Sequence, residues 1–271
     1  MAGTADPDTR RPFSLSTVIA RGFGVMAGNP LPIFGITFLI GELLLLLLSY
    51  LGPSTTAATR MNVEYPDGGY MAPVLALLAI ALGSLFVYLF LLALLQGALV
   101  LVTLAYAQGR RATLGESLMA GVAKALPLIG LLVLMAIAIA FGFALFVVPA
   151  ILLYVRWSVA SPALVAEDLG VFAALRRSAD LTKGARWQIF LLQFLSLVAI
   201  LVLQSIVEGA LEISATASAA RTTPTIAELV VTGVIGTVTT AAWASLQTSL
   251  YIGLRDWKDG PEESTLAEVF A

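Results

Sequence analysis

The feature that most constrains this chain is the segment from Met71 to Gln108, which carries no charged side chain. As one helix it would be on the order of 55 Å long at 1.5 Å per residue. The hydrocarbon core of a bilayer is about 30 Å thick. We expect a continuous helix that projects past the headgroups toward Gly109, with a kink near Gly83 or Gly97 as the alternative.

Five further apolar segments are long enough to cross: Leu31 to Leu51, Pro127 to Val147, Ala150 to Ala166, Ile189 to Leu211 and Ile226 to Leu254. Only a turn at Val148-Pro149 separates the third span from the fourth, which predicts a helical hairpin or a broken re-entrant unit. The chain is 59% hydrophobic and 12% charged, whereas soluble domains are about half apolar and a quarter charged. The reading is an all-α, polytopic integral membrane protein of six transmembrane helices arranged as three hairpins. One membrane domain over residues 14–255 is flanked by a polar tail, 1–13, and an acidic tail, 256–271.

Positive charge sets the orientation, because Lys and Arg concentrate on the cytoplasmic side. Arg10, Arg11, Arg21, Arg110, Arg111, Lys124, Arg176, Arg177, Lys183, Arg186, Arg255 and Lys258 fall on one side of the six spans. Arg60 and Arg221 fall on the other, and Arg156 lies within a span. Both termini are therefore expected in the cytoplasm.

Each basic stretch also reads as a short amphipathic helix leading into an odd-numbered span: Ser14 to Ala27 before Asn29-Pro30, Thr113 to Ala125 before Pro127, and Val171 to Thr182 before Gly184. Ile19, Leu118 and Leu175 occupy matching places, each followed three residues later by a small one: Gly22, Gly121 and Ser178. Thr113 and Glu116 have capping-box spacing. A basic helix with one apolar face suits the headgroup plane and anionic lipid, and Arg176, Arg177, Lys183 and Arg186 are the residues expected to face it.

Several chemistries are absent. The chain has no Cys and no His. Thiolate chemistry is excluded, and so are the commonest general base and neutral metal ligand. No cofactor or metal pattern is present, and a net charge of -2 gives no basic face for nucleic acid. Only isolated carboxylates could act catalytically, so the chain reads as non-enzymatic.

The stretch Pro149 to Gly170 is a Pro-led span with Arg156 within it and Glu167-Asp-Leu-Gly170 at its end. Ala174-Leu-Arg-Arg-Ser178 and Leu181-Thr-Lys-Gly184 follow. This pattern resembles the membrane domain found beside glycerophosphodiester phosphodiesterases, and a wider group of bacterial membrane proteins. Asn29-Pro30 and Gly109-Arg110-Arg111 fit the same scheme. The resemblance implies a multi-pass protein of the bacterial cytoplasmic (inner) membrane. In that family the hydrolase activity resides in a separate soluble barrel using His and acidic residues around a metal, so it does not carry over to a chain without His.

Ionisable groups in lipid are functional candidates by default. Glu42 lies near the middle of span one, Arg156 within span four and Glu208 toward the outer end of span five, while Gln96, Gln193, Gln204 and Gln247 add neutral polar groups. Glu42 and Arg156 fall at similar depth. A pair between them would fix one packing of the bundle, or form a mid-membrane substrate or proton site. Arg156 also has a simpler explanation, snorkelling beside Trp157 from a shallower helix. Span six carries a small-residue stripe, Gly233, Gly236, Thr237, Thr240, Ala241, Ala244, Ser245 and Thr248. Such a stripe admits close helix approach, either within the chain or against a protein partner or second copy. The expected function is a non-catalytic scaffold or accessory subunit contacting lipid or protein. The alternative is a small-molecule, lipid or peptide transporter.

Overall fold

The computed structural model describes residues 13–43, 71–216 and 226–260. The end of span one with its leucine run, the loop holding Arg60 and Pro66 to Gly69, and the loop holding Arg221 lie outside the described residues, as do most of both tails. The described residues form helices without strands: α1 (Leu15–Gly28), α2 (Pro30–Ile36, continuing as the wider π-helical stretch Thr37–Leu43), α3 (Met71–Ala107), α4 (Leu114–Leu145), α5 (Val147–Arg156), α6 (Ala160–Ala166), α7 (Val171–Leu181), α8 (Arg186–Thr216) and α9 (Ile226–Asp259). Five stretches are long and apolar enough to cross a membrane, or six if the bent pair Leu15–Gly28 and Pro30–Glu42 counts as one span. The chain is an all-α, polytopic membrane protein. Its outer surface fits a lipid surround: Leu78, Leu82, Leu85 and Phe86 on α3, and Leu201, Val202 and Ile206 on α8, are all exposed.

The chain enters span one through a 90° bend. Asn29 sits at φ -132°, ψ 58°, outside the helical region, because Pro30 disfavours the α conformation in the residue before it. Pro30 then opens α2, where its missing N–H costs nothing. Pro127 behaves otherwise. It lies inside α4, one 32-residue helix that joins the expected amphipathic segment to span three without a break. Within an apolar surround a continuous helix is the cheapest way to satisfy backbone groups, and neighbours cover the one bond lost at Pro. The middle of the three stretches, read as repeated units of amphipathic helix plus span, is therefore fused into one helix. The Thr113–Glu116 capping box at its start is formed, with the Glu116 N–H donating to Thr113 Oγ1 and the Thr113 N–H to Glu116 Oε2.

α3 runs without interruption past Gly83 and Gly97. Its half nearer Gly109 is not a free projection: Ala93, Ala98, Leu99, Val102 and Ala105 are buried there. The helix stops at Gly109, whose φ of +70° lets the Gly109 and Arg110 N–H groups return to the Tyr106 and Ala105 carbonyls, a Schellman ending. α3 packs most extensively on α4. The contact is close because two glycines meet: a Cβ on Gly97 would stand 2.9 Å from the Gly121 Cα. The α4–α5 hairpin turns at Phe146, which is extended (φ -167°, ψ 158°), so the turn precedes Val148-Pro149. Ala150 closes against Gly142 there.

Span four is broken. α5 stops at Arg156, three residues intervene, and α6 resumes at Ala160. Arg156 thus occupies the last turn of α5, where a cation complements the helix dipole. α1 lays Val18, Gly22, Val25 and Met26 against α9 and the α2–α3 corner. Ile19, at the place matching Leu118 and Leu175, is exposed. α8 is the outlier. Of its described side chains only Ile189, Leu192 and Gln193 are buried, and it packs sparsely on α9 and α5.

Candidate functional site

Two polar regions stand out, and they are built differently. The first lies where α5, α6, α7 and α9 converge. Breaking a helix strands backbone groups that need partners, and here α7 supplies them. Ser178 Oγ donates to the Arg156 carbonyl at 3.0 Å and accepts the Val159 N–H at 3.3 Å. Thr182 Oγ1 also reaches the Arg156 carbonyl, at 3.3 Å. Ser178 is fully buried, so the small residue noted in the third repeat copy serves as the patch for a helix break. Its counterparts are both sites of close approach: Gly22 meets Leu246 on α9, and Gly121 meets the Leu94 carbonyl on α3.

Just beyond, Arg177 Nε donates to both Glu167 oxygens, at 2.8 and 2.9 Å. Its Nη2 bonds Asp259. The Tyr251 hydroxyl donates to Glu167 Oε1 at 2.8 Å. One guanidinium and one carboxylate thereby tie α6, α7 and α9 together. The Asp259 hydrogen bond holds the Arg177 guanidinium above its ordinary range, against the opposing effect of burial and with further support from Glu167. Asp168 adopts φ +52°, a left-handed conformation that Asp tolerates better than most residues, and pairs with Lys124. On the α1 side Arg21 reaches Asp256 at 3.6 Å, and Phe13 packs on Trp257. α9 thus continues to Asp259 as a structural helix, past the boundary expected at 255.

Arg177 accordingly corrects the sequence reading. It was expected to face lipid, but it is turned inward and neutralised by two carboxylates. Arg176, Lys183 and Arg186 are exposed, between Phe172 (78% exposed) and Trp187 (76%).

The expected intramembrane residues are scattered. Glu42 lies in the last turn of the π-helical stretch, directly against Gly236, where a Cβ would stand 2.6 Å from the Glu42 Cδ. Arg156 is exposed at the end of α5, and no ion pair joins it to Glu42. Gln96 is half-buried on α3 and Glu208 is exposed on α8. The small-residue stripe on α9 is filled from within the chain: Gly236 by Glu42, Gly233 by Phe38, and Ala241, Ser245 and Thr248 are buried. Much of this face therefore packs within the chain. On α1, Gly24 and Gly28, four residues apart, both lie against Tyr106.

The second region is a groove, which the sequence reading did not anticipate although it named Gln193 and Gln247 as polar groups within the spans. α5, α8 and α9 leave a half-open groove of about 360 Å³ between them, lined by Tyr154, Phe190, Gln193, Leu197, Ile200 and Trp243 among others. Its volume falls in the range of small-molecule sites. Gln193 is 5% exposed, yet both its amide oxygen and nitrogen lack a hydrogen-bond partner. Beside it a small pocket of about 10 Å³ is lined by both Gln193 and Gln247, and Gln247 Oε1 is also unpartnered. That is room for about one water. Periodicity marks Gln193 as one polar residue in an apolar helix, but it cannot show that α8 stands off from its neighbours.

Among the described residues no three metal-ligating side chains cluster. No protein-family model, curated protein or solved structure matches the chain.

Proposed function

We propose that this chain is a non-catalytic scaffold or accessory subunit of the bacterial cytoplasmic membrane, with both termini in the cytoplasm, that contacts anionic lipid and protein partners. The observation that carries the reading is α7. Its inner face is braced by Ser178 and Arg177, while its outer side and the start of α8 display Phe172, Arg176, Lys183, Arg186 and Trp187. A rigidly held platform with cations between exposed aromatics suits a headgroup layer, where each Lys or Arg near an anionic surface contributes about 1 kcal/mol. The transporter alternative loses its geometric support, because Glu42 is packed on Gly236 and Arg156 lies at an exposed helix end.

Extraction directly into native nanodiscs, followed by native mass spectrometry, tests the proposal. The expected result is a stoichiometric protein partner together with anionic lipid enriched over the bulk membrane. A chain recovered alone, in lipid of bulk composition, overturns it.

A further inference from the structure

The groove between α5, α8 and α9 has a polarity sequence that matches one kind of ligand. Arg186, Phe190, Gln193, Leu197 and Ile200 follow one another at four- and three-residue steps, so they share one stripe of α8. Four of these line the groove. Arg186 continues the stripe one turn beyond it, exposed, and makes no ion pair with any described carboxylate. Arg156, exposed and equally without a described carboxylate partner, ends α5 two residues after the groove residue Tyr154. Along the stripe the order is cation, aromatic, amide, then branched aliphatics. About 10 Å separates the cation from the amide at helical rise.

We propose that the groove is a binding site for one anionic glycerophospholipid. The acyl chain lies along Leu197 and Ile200, an ester carbonyl accepts from the Gln193 amide N–H, and the phosphate sits at Arg186 and Arg156. Two independent observations point this way: the groove itself, and a nearly fully buried amide in its wall with no partner from the chain. A buried polar group left unsatisfied is costly, so an amide held against an apolar groove marks where a ligand's polar group belongs. The groove lining named above carries no formal charge, which places a charged headgroup only at its Arg end. Gln193 can also face the small cavity shared with Gln247. One amide oxygen accepting from water there leaves the N–H free for the ester. The site does not depend on the scaffold reading, since it needs no protein partner.

The test uses the full chain in mixed nanodiscs of phosphatidylglycerol and phosphatidylethanolamine, transferred to mild detergent and read by native mass spectrometry. Wild type is expected to retain one phosphatidylglycerol. Gln193→Leu is expected to lower retention of either lipid about fivefold, the worth of one ordinary hydrogen bond. Arg186→Gln is expected to leave total retention within about twofold while abolishing the preference for phosphatidylglycerol, because one exposed charge contact contributes little beyond selectivity. Leu197→Trp, which keeps the amide but fills the groove, is expected to expel the lipid. Retention unchanged in both Gln193→Leu and Leu197→Trp overturns the proposal, as does a wild-type chain that carries no lipid or a groove that holds the transmembrane helix of another protein.

Discussion

The two polar regions of this bundle share a helix, α9, and treat buried polarity in opposite ways. Around Arg177 the donors and acceptors are matched: Glu167 takes three hydrogen bonds, and Ser178 mends the gap between α5 and α6. Around Gln193 an amide is buried and left open. The first arrangement fixes the positions of helices, and the second keeps a surface available. The same operation, deleting a polar group, should therefore have opposite signs in the two places.

The largest effect is expected where packing leaves no slack. At Gly121 a Cβ would fall 2.5 Å from the Leu94 carbonyl and 3.3 Å from the Ala98 nitrogen. Gly121→Val should destabilise by about 3 kcal/mol through overpacking, read as a lowered midpoint in thermal unfolding in detergent. Gly83→Val, with nothing within 4 Å, is the control and should leave the midpoint nearly unchanged.

Next comes the ion pair. Glu167→Gln and Arg177→Gln should each cost about 1–2 kcal/mol. That is less than for a fully buried pair, because the side chains are 24% and 28% exposed. The double variant should cost less than the two single costs added together, since the partners are coupled. Simple additivity would show that the contact does not hold α7 in place. Ser178→Ala should cost about 1 kcal/mol by leaving the Val159 N–H without its partner. The smallest effect has the opposite sign. Gln193→Leu in lipid-stripped protein should be neutral or stabilising by up to about 1 kcal/mol, because an unpaired amide is replaced by an apolar group of similar size. Destabilisation there would erase the distinction between the two regions.

Much of the first region was legible in the chain itself. The Val171–Leu181 helix, the capping box at Thr113 and the six apolar segments follow from period, cap chemistry and length. The partners were not legible. Periodicity assigns a residue to a face, but Arg177 and Asp259 are 82 positions apart, as Glu167 and Tyr251 are 84. Nothing local says which helix a face will meet, so Arg177 read as a lipid-facing cation. The two prolines show the same limit. Asn29-Pro30 turns the chain while Pro127 does not, because the residue before each and the packing around it decide whether the helix continues. Glu42 and Arg156 matched in estimated depth, but depth places a residue along the bundle axis and says nothing of its position around it. The groove was the least legible feature, since it is a property of how far α8 stands from α5 and α9.

The contrast between a closed and an open region is tested most directly with tryptophan, of which the chain has four. Single-tryptophan variants retaining Trp243, in the groove wall, or Trp257, packed on Phe13 at the charged end, are placed in bilayers of lipid brominated along the acyl chains. Trp243 fluorescence should be quenched strongly and Trp257 fluorescence little. Trp243 emission as protected as that of Trp257 would mean that the groove is sealed and that α8 is packed like the other helices.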